Sequence, residues 1–456
     1  MRIGFITPEY VTESSCFDGG LSNYLHRVAV YLVEKGHEPV IIVASDRDEY
    51  IIHDKVEVYR VRVKTVDFAN VFLKNANYLK VYMPLHLLNI SKALNVEVER
   101  IHKIKPFNII QYASYNATAL FRHLDVPSVI RISSYNPLMR SGYGIDYNTF
   151  NNKYEDLLEE LSLKNVDGIF GPSQILAEVI EKVVDKKVEV VESPFYIPNM
   201  EYDLSVHNNL LKDKKYLLFF GTVGYLKGAY TISKMIYELL AKYNDLFFVV
   251  VGKDTEYKGE SVKKKLIDST KELKDRLICI DKLPHNQLYP IIKGAYAIVL
   301  PSRIDNFPNT CLEAMGHNKV VIGTSGTSFE QLITDGVNGL LTKVDDADDL
   351  FNKIEFILKL DECTLQMMEK NAGESIKRLN PDHSVERLIY YYKEVINNFT
   401  KKKSNNIKDD GKIFNEILNA NILSLADFNK FIGEKYTLKF MLKWIIKEYI
   451  FKWFGK

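Results

Sequence analysis

The feature that most constrains the fold is a repeated alternation between short apolar runs and longer segments with helical periodicity. The apolar runs are rich in Val, Ile and Phe, which is typical of parallel strands buried on both faces. They span residues 3–7, 40–44, 109–112, 128–132, 168–171 and 188–191 in one series, and 216–220, 247–251, 277–280, 297–300, 320–323 and 340–342 in a second. This alternation predicts α/β sheets of the doubly wound, Rossmann-like type. A chain of 456 residues also exceeds one typical core, so we expect two domains.

The boundary between the two domains is predicted at a proline-containing linker. Pro194 and Pro198 follow the last run of the first series, before the second series starts. We therefore assign residues 1–195 to an N-terminal domain and residues 196–380 to a C-terminal domain.

Two segments of the N-terminal domain are less regular. Residues 46–105 combine an aromatic, basic stretch with a helix expected near residues 88–104, and their organisation does not follow from the pattern. A helix predicted over residues 153–163 carries many acidic side chains, which most simply form a solvated face.

The charge balance and the cysteines exclude several classes of protein. The chain has 60 Lys and Arg against 59 Asp and Glu, whereas a nucleic-acid-binding protein needs a basic excess. Cys16, Cys279, Cys311 and Cys363 are scattered, without metal-like spacing to histidine, which predicts a reducing compartment and no zinc site. The N-terminus enters a strand without the apolar region of a signal peptide. We therefore expect a cytoplasmic protein.

A glycine pair separates the first strand from the first helix. Gly19 and Gly20 precede a segment with helical spacing, and Gly36 stands where that helix should end. The dinucleotide fingerprint G-x-G-x-x-G is absent at this position. The pair is therefore either a simple turn or a place where a substrate approaches the helix N-terminus closely.

A second glycine loop opens the C-terminal domain. The sequence Gly221-Thr-Val-Gly-Tyr-Leu-Lys-Gly228 lies between a predicted strand and a predicted helix. Backbone N–H groups and the helix dipole can hold a phosphate there, and Lys227 can add a positive charge. The loop lacks the Walker A pattern, and the alternative is that Lys227 is an ordinary surface lysine.

The longest polar motif follows the fourth strand of the second series. Asp305, Asn306 and Phe307 lie on a loop before a helix that is predicted to begin near Thr310. Ligands of open α/β sheets bind at the carboxyl ends of strands, so we expect Asp305 and Glu313 to face one pocket. Alternatively, Thr310 and Glu313 form a capping box, in which Glu313 merely binds the N–H of Thr310.

Small residues also follow the next strand. The sequence Gly323-Thr-Ser-Gly-Thr-Ser-Phe-Glu330 contains a second possible capping box, from Thr327 to Glu330. If phosphates bind near Lys227, the N–H groups of residues 327–329 offer a second helix N-terminus that points into the same crevice. Two converging anion sites fit a diphosphate.

Together these motifs resemble those of the retaining glycosyltransferases of family 4, the group 1 glycosyltransferases, over about residues 1–395. The most specific match is the pair of acids in Pro301-Ser-Arg-Ile-Asp-Asn-Phe-Pro-Asn-Thr-Cys-Leu-Glu-Ala-Met315, since the family has two acids separated by seven residues. The two glycine loops and residues 323–330 match less specific family motifs. The resemblance implies the GT-B fold, an α/β fold in which two Rossmann-like domains face a central cleft, here with a helical C-terminal extension.

The resemblance also implies roles for individual residues. Glu313 would bind the ribose hydroxyls of a nucleoside diphosphate sugar, while Asp305 and the amides of Asn306 and Phe307 would contact the transferred sugar. Lys227 would neutralise the diphosphate leaving group, so Asp305 and Lys227 are the expected catalytic residues. The other expected donor-binding residues are Gly20, Thr222, Thr327, Ser328 and Glu330, and the acceptor is expected on the side of Gly19 and Ser133. No metal and no separate cofactor are expected, and the donor's base is expected to be that of UDP or GDP.

Three positions depart from the family pattern. Asp305 stands where Glu is usual, so its carboxylate reaches one methylene less far. Thr222 stands where arginine is common, which leaves Lys227 more important for the diphosphate. Ser133 stands where many members have histidine, so the acid–base or sugar-orienting role of that histidine does not carry over.

The C-terminal end is divided into a helix and a tail. Residues 381–400 resemble the segment that crosses back to the N-terminal domain in this fold, and residues 401–456 form a linker and a basic, aromatic helical tail. Lysines at 435, 439, 443 and 447 form one stripe of a helix over residues 435–456. This helix binds either an anionic membrane surface or the surface of a protein.

We therefore expect a retaining glycosyltransferase that moves a sugar from a nucleoside diphosphate sugar to a glycan or lipid-linked acceptor. Cell-surface polysaccharide synthesis is the expected setting, in the cytoplasm or peripherally on the inner face of the membrane. The alternatives are another GT-B enzyme, such as a nucleotide-sugar epimerase or a sugar phosphorylase, and a catalytically weakened scaffold partner.

Overall fold

The computed structural model describes residues 1–12, 19–63, 82–123, 125–144 and 150–400. Within these ranges each half of the chain builds one α/β sheet around parallel strands. The predicted fold class is confirmed.

In the described part of the chain, the N-terminal sheet has eight strands. They are β1 (Arg2–Thr7), β2 (Glu38–Ser45), β3 (Glu49–His53), β4 (Val56–Arg62), β5 (Ile109–Ala113), β6 (Ser128–Arg131), β7 (Gly168–Gly171) and β8 (Val188–Val190). Their order is β3-β4-β2-β1-β5-β6-β7-β8, and β3 runs antiparallel to β4. The helices of this half are α1 (Gly20–Glu34), α2 (Tyr82–Ile104), α3 (Asn136–Gly142), α4 (Phe150–Asn165) and α5 (Gln174–Val184).

The C-terminal sheet has six strands. They are β9 (Lys215–Phe220), β10 (Leu246–Val251), β13 (Leu277–Ile280), β14 (Ala297–Val299), β15 (Val321–Thr324) and β16 (Leu340–Thr342), while β11 (Glu256–Tyr257) and β12 (Glu260–Ser261) form a separate small hairpin. The strand order is β13-β10-β9-β14-β15-β16. The helices are α6 (Ser205–Leu210), α7 (Ala229–Lys242), α8 (Val262–Ser269), α9 (His285–Gly294), α10 (Asn309–Gly316), α11 (Ala347–Leu358), α12 (Glu362–Ser375) and α13 (Pro381–Asn397).

Both faces of the C-terminal sheet are buried. Neighbouring residues of one strand point to opposite faces, and in β9 they belong to two different buried clusters. In β9, Leu218 belongs to the apolar cluster that includes Phe329. Leu217 belongs to the cluster on the other face, which includes Ile236 of α7. The continuous apolar runs in the sequence follow from this two-sided burial.

The irregular segment near residue 50 forms a β-hairpin that the sequence analysis did not predict. Asp54 and Lys55 connect β3 to β4 with φ angles of 48° and 65°. Two consecutive residues with positive φ are typical of the tight type I′ hairpin turn, which suits the twist of the flanking strands. β3 is the edge strand of the sheet, and its residues alternate between half-buried and exposed.

The acidic helix α4 is not simply a solvated face, and that interpretation was wrong. Glu159 is only 4% exposed. Its carboxylate accepts hydrogen bonds from the backbone N–H of Asn116 at 3.0 Å and from Nδ2 of Asn136 at 3.1 Å. Burial raises the pKa of Glu159 to about 8.

The last described helix, α13, packs against α1 of the N-terminal half. Tyr31 on α1 hydrogen-bonds to Asp382, and Lys35 Nζ lies 2.9 Å from the same carboxylate. Tyr392 on α13 donates to Oε1 of Gln111 in β5 at 2.5 Å. Among the described helices, none is both long enough and apolar enough to cross a bilayer. The predicted tail over residues 401–456 lies outside the described residues.

A buried histidine after α10 is expected to make the C-terminal half sensitive to acid. His317 is 8% exposed, and its ring packs edge-to-face on Tyr289 at a centroid distance of 4.6 Å. Burial, with a smaller effect of Lys293, lowers the pKa of His317 from 6.5 to about 4. The unfolded chain therefore binds a proton before the folded chain does, so stability is full above pH 6.5 and falls as the pH drops towards 4. We expect a loss of about 2 kcal/mol between pH 7 and pH 4.5 from this residue.

Urea unfolding of the wild type and of His317→Phe at pH 7 and at pH 4.5 measures this contribution. The phenylalanine keeps an aromatic ring on Tyr289 but takes up no proton, so the variant should lose less stability in acid than the wild type. The exposed His383 provides the control, because His383→Asn should behave as the wild type does. An equal acid loss in wild type and His317→Phe would contradict the assignment.

Candidate active site

Three polar loops meet at one edge of the C-terminal sheet. They follow β9, β14 and β15, which are adjacent and parallel in the sheet. Parallel neighbours end at the same edge, so the loops that leave them are brought together. This places the Gly221–Gly228 loop beside the loops that contain Asp305 and Thr327.

Two of these loops touch through their backbones. Gly228 has φ +80°, and a Cβ added there would lie 1.8 Å from the carbonyl oxygen of Pro301. The backbone N–H of Arg303 also donates to the carbonyl oxygen of Leu226 at 2.8 Å. Glycine at 228 therefore allows a contact that no other residue would permit without displacement of the backbone.

The contact between these two loops brings together the two residues predicted to be catalytic. Lys227 Nζ donates to Oδ2 of Asp305 at 2.5 Å. The Asp305 side chain is 9% exposed, whereas Lys227 is 39% exposed. The lysine is thus partly exposed and paired with a carboxylate of a neighbouring loop, and its role at the site stays a prediction. An incoming anion can exchange for the carboxylate as its partner.

The loop after β15 supports the Asp305 loop. Ser328 Oγ donates to the backbone carbonyl of Asp305 at 2.7 Å, and Thr327 Oγ1 donates to the carbonyl of Thr324 at 2.7 Å. The helix predicted here is a single 3₁₀ turn, Ser328–Gln331. Its capping box is only partly as predicted, since Glu330 accepts the N–H of Gly326 rather than that of Thr327. Glu330 is exposed.

Glu313 does not form the alternative capping box. α10 begins at Asn309 after Pro308, and no side chain among the described residues caps it. Glu313 is 8% exposed, and its Oε1 lies 3.3 Å from Nε2 of His285 at the start of α9. Sequence reasoning missed His285 because it lies far from the acid motif in the chain, although it follows the end of β13.

The N-terminal half contributes a helix end to the same place. Gly20 is the first residue of α1, and a Cβ on Gly20 would lie 3.5 Å from Nδ2 of Asn309, the first residue of α10. The positive ends of two helix dipoles therefore converge in the cleft, which favours an anion. Gly19 lies against Glu9, since a Cβ there would come within 3.0 Å of the carboxylate.

One hydrogen bond joins a residue predicted to bind the donor to a residue predicted to lie on the acceptor side. Asn306 Nδ2 donates to the backbone carbonyl of Ser133 at 2.7 Å. Ser133 Oγ accepts from Nη1 of Arg131 at 2.7 Å, and that buried guanidinium stacks on Tyr24 at 3.6 Å. Burial lowers the pKa of Arg131. Sequence reasoning gave Arg131 no role, although a charged residue within a buried β-run was a visible signal.

A second set of contacts joins the halves beside the Asp305 loop. Arg303 Nε donates to the carbonyl of Gly142 in α3 at 2.9 Å, and its guanidinium lies 4.6 Å from the ring centroid of Tyr225. Tyr257 donates to the carbonyl of Tyr143 at 3.1 Å. These contacts hold the two halves together beside the Asp305 loop.

Two further residues predicted to bind the donor, Thr222 and Phe307, lie on the same loops as Lys227 and Asp305. Thr222 is exposed, one residue after Gly221, whose added Cβ would lie 3.2 Å from Thr310. Phe307 is partly buried and packs against the core beneath the sheet. The donor-binding and acceptor-side roles of the individual residues remain predictions.

Two family models match the chain. The model of "Glycosyl transferases group 1" matches residues 203–375, and that of "Glycosyltransferase Family 4" matches residues 18–194. The first range contains every strand of the C-terminal sheet, and the second contains every strand of the N-terminal sheet except β1.

Two glycosyltransferases with a named substrate are similar in sequence. The N,N'-diacetylbacillosaminyl-diphospho-undecaprenol alpha-1,3-N-acetylgalactosaminyltransferase of Campylobacter jejuni is 22% identical over 411 residues, which cover 87% of this chain and 100% of that protein. The alpha-D-kanosaminyltransferase of Streptomyces kanamyceticus is 23% identical over 185 residues, which cover 41% of this chain and 47% of that protein.

Solved structures share the fold. Sucrose-phosphate synthase from Thermosynechococcus elongatus superposes with a TM-score of 0.69 at 16% identity, covering 87% of this chain and 99% of that one. Anabaena HepE in complex with UDP superposes with a TM-score of 0.63 at 13% identity, covering 86% of this chain and 100% of that one. At these identities the likeness shows the fold.

Proposed function

The chain belongs to the group 1 glycosyltransferases of the GT-B fold, and from this premise we propose that it moves a sugar from a nucleoside diphosphate sugar to a glycan or lipid-linked acceptor with retention at the anomeric carbon. Family membership favours this activity over the epimerase, phosphorylase and scaffold alternatives. The Campylobacter relative, named for a diphospho-undecaprenol acceptor, supports a lipid-linked acceptor. Such an acceptor would fit a role in cell-surface polysaccharide synthesis.

The observation that carries the proposal is the position of Lys227. Its ammonium lies beside Asp305, on the loop that leads into α10, and the first residue of α10, Asn309, lies close to Gly20 at the start of α1. A diphosphate bound there would receive the lysine charge together with the positive ends of two helices. As the bond to the sugar breaks, negative charge grows on that diphosphate, so these groups act most strongly in the transition state.

The acids have separate proposed tasks. Asp305, released from Lys227 by the diphosphate, would accept a hydrogen bond from a hydroxyl of the transferred sugar. Glu313 would accept hydrogen bonds from the ribose hydroxyls, with His285 at 3.3 Å as its neighbour on the solvent side. A carboxylate can accept from two hydroxyls at once, which suits a ribose diol. In this scheme no metal neutralises the diphosphate, since Lys227 and the helix ends do so.

We propose uridine as the first base to test. The Anabaena HepE structures contain UDP, and the Escherichia coli trehalose-6-phosphate structure contains UDP-2-fluoro glucose. GDP is the second choice.

The test is a thermal-shift series with UDP, GDP, ADP and CDP, each with magnesium and with EDTA. A ligand at about 100 times its dissociation constant stabilises the native state by roughly 2.7 kcal/mol. For a domain of this size that corresponds to a rise in Tm of roughly 5–10 °C. We expect one diphosphate to raise the midpoint equally with magnesium and with EDTA.

Two lysine variants provide the comparison for this series. Lys227→Ala should lose the shift. Lys242→Ala should keep it, because Lys242 is also paired with a carboxylate, that of Glu355, but lies outside the site. A shift that requires magnesium would contradict the metal-free scheme, and a shift that persists in Lys227→Ala would contradict the site. Proton NMR of the transfer product then reads retention or inversion from the anomeric coupling.

A further inference from the structure

A cluster of metal-ligating side chains lies on the N-terminal half, apart from the donor loops. Nε2 of His26 lies 3.2 Å from Oδ2 of Asp54, and Nε2 of His53 lies 3.7 Å from the same oxygen. One ligand atom from each of the three residues lies within 4.8 Å of the others. None of the three residues has a role in the proposed transfer reaction.

Two separate elements build this cluster. His26 is on α1, and His53 ends β3, where it pairs with Val56 across the hairpin. The positive φ of Asp54 folds the tight turn back so that its carboxylate comes beside both imidazoles. This site was not predicted from the sequence, because His26 is distant in the chain from the hairpin that carries His53 and Asp54.

The spacing fits the coordination sphere of a small cation. Ligands at about 2.0–2.1 Å from a tetrahedral ion lie about 3.3 Å from one another. The two measured distances to Asp54 bracket this value. All three ligand atoms lie within 4.8 Å of one another, so direct ligation of one ion needs at most a small movement. A small rotation of the exposed Asp54 side chain, or of an imidazole, would supply this movement.

We propose that His26, His53 and Asp54 bind one divalent transition-metal cation, with Zn²⁺ as the best match, that fastens the β3–β4 hairpin to α1. Two imidazole nitrogens and one carboxylate oxygen suit zinc or cobalt, and water can complete the tetrahedron from the solvent side. Magnesium and calcium need a sphere of oxygen ligands and do not fit.

The proposed ion has a structural role that is independent of the transfer reaction. β3 is an edge strand, held to the sheet through β4, and the ion would add a contact between its turn and α1. The same helix begins at Gly20 in the cleft, so the ion would also steady the helix that carries this residue. Binding should therefore raise the stability of the N-terminal half.

The surroundings of His26 set the expected affinity. A ligating histidine usually donates its second N–H to an acceptor. Nδ1 of His26 is buried, and no partner for it lies among the described residues. We therefore expect micromolar affinity for Zn²⁺, weaker than that of closed structural zinc sites.

The experiment uses the full chain without a histidine tag, stripped of metal by a chelator and dialysed. Titration with Co²⁺ should produce the visible absorption bands of a tetrahedral cobalt site with a stoichiometry near one, and Zn²⁺ should abolish them. Saturating Zn²⁺ should raise the melting temperature by roughly 5 °C or more. These readouts do not depend on transferase activity.

Three variants test the assignment. Asp54→Asn keeps the turn, because asparagine tolerates positive φ, but it removes the charged ligand and should weaken Zn²⁺ binding about 10-fold or more. His26→Asn should abolish the cobalt spectrum, and His383→Asn on the exposed start of α13 should leave it unchanged. Wild-type spectra without tetrahedral bands, or equal Zn²⁺ affinity in Asp54→Asn and wild type, would overturn the proposal. In that case the contacts among Asp54 and the two imidazoles serve only to hold the hairpin on α1.

Discussion

Replacing Lys227 by alanine is expected to lower kcat/KM for sugar transfer by about 10²–10³. The lysine ammonium is the group that the proposed mechanism places against the leaving diphosphate. Thr222 is uncharged, and Lys227 is the one charged residue of the Gly221–Gly228 loop. Removal of Lys227 also leaves the mostly buried carboxylate of Asp305 without its partner, and that carboxylate then repels the diphosphate.

A double-mutant cycle separates these effects. If the repulsion is real, Asp305→Asn added to Lys227→Ala should restore part of the donor affinity, so the two changes will not be additive. Lys242→Ala, which removes a paired lysine elsewhere, should leave kcat/KM unchanged. Initial rates over a range of donor concentrations measure all four proteins. Activity in Lys227→Ala close to that of the wild type would refute the assigned role.

Replacing Gly228 by alanine is expected to destabilise the C-terminal domain by roughly 3–5 kcal/mol. Two separate costs contribute. The backbone at φ +80° is unfavourable for any residue with a Cβ, and the added methyl would overlap the carbonyl oxygen of Pro301 at 1.8 Å. Because both atoms in this overlap are attached to backbone, relief requires the two loops to separate, which would also move Lys227 away from Asp305.

Gly259 provides a matched control for the backbone cost. Its φ is +81°, almost that of Gly228, but no atom lies within 4 Å of an added Cβ in the described structure. Gly259→Ala should therefore cost only about 1 kcal/mol. Urea unfolding of both variants, followed by far-UV circular dichroism, measures the difference. Equal destabilisation of the two proteins would mean that the close approach to Pro301 does not exist.

Several features of the fold could be predicted because each depends on local pattern. Most predicted strands, such as residues 247–251 against the observed Leu246–Val251, agree within about two residues. Gly36 lies just beyond α1 with φ +75°, as its place after the helical pattern indicated. The β3–β4 hairpin was missed because its edge strand lacks a continuous apolar run, and its turn residues, Asp54-Lys55, are not the usual glycine-containing pair.

The site was predictable as a set of residues but not as a set of contacts. The spacing of Asp305 and Glu313, and the lysine in the glycine loop, were visible in the sequence. The hydrogen bond from Asn306 to Ser133 and the approach of His285 to Glu313 were not. The alternative capping box of Thr310 and Glu313 does not form, because α10 starts one residue earlier than predicted, after Pro308.

The sequence by itself determined the two α/β sheets and which loops carry polar residues. Continuous apolar runs that alternate with helical patterns are typical of parallel strands covered by helices on both faces, and each run can be recognised from a few residues. The sequence predicted that these loops share a crevice, but only the tertiary structure decided which of their atoms are in contact. The order of β9, β14 and β15 is set by crossover connections and by packing over the whole domain, so the meeting of Lys227 with Asp305 is a long-range result. The same holds for His26 and Asp54, which chain folding places 3.2 Å apart.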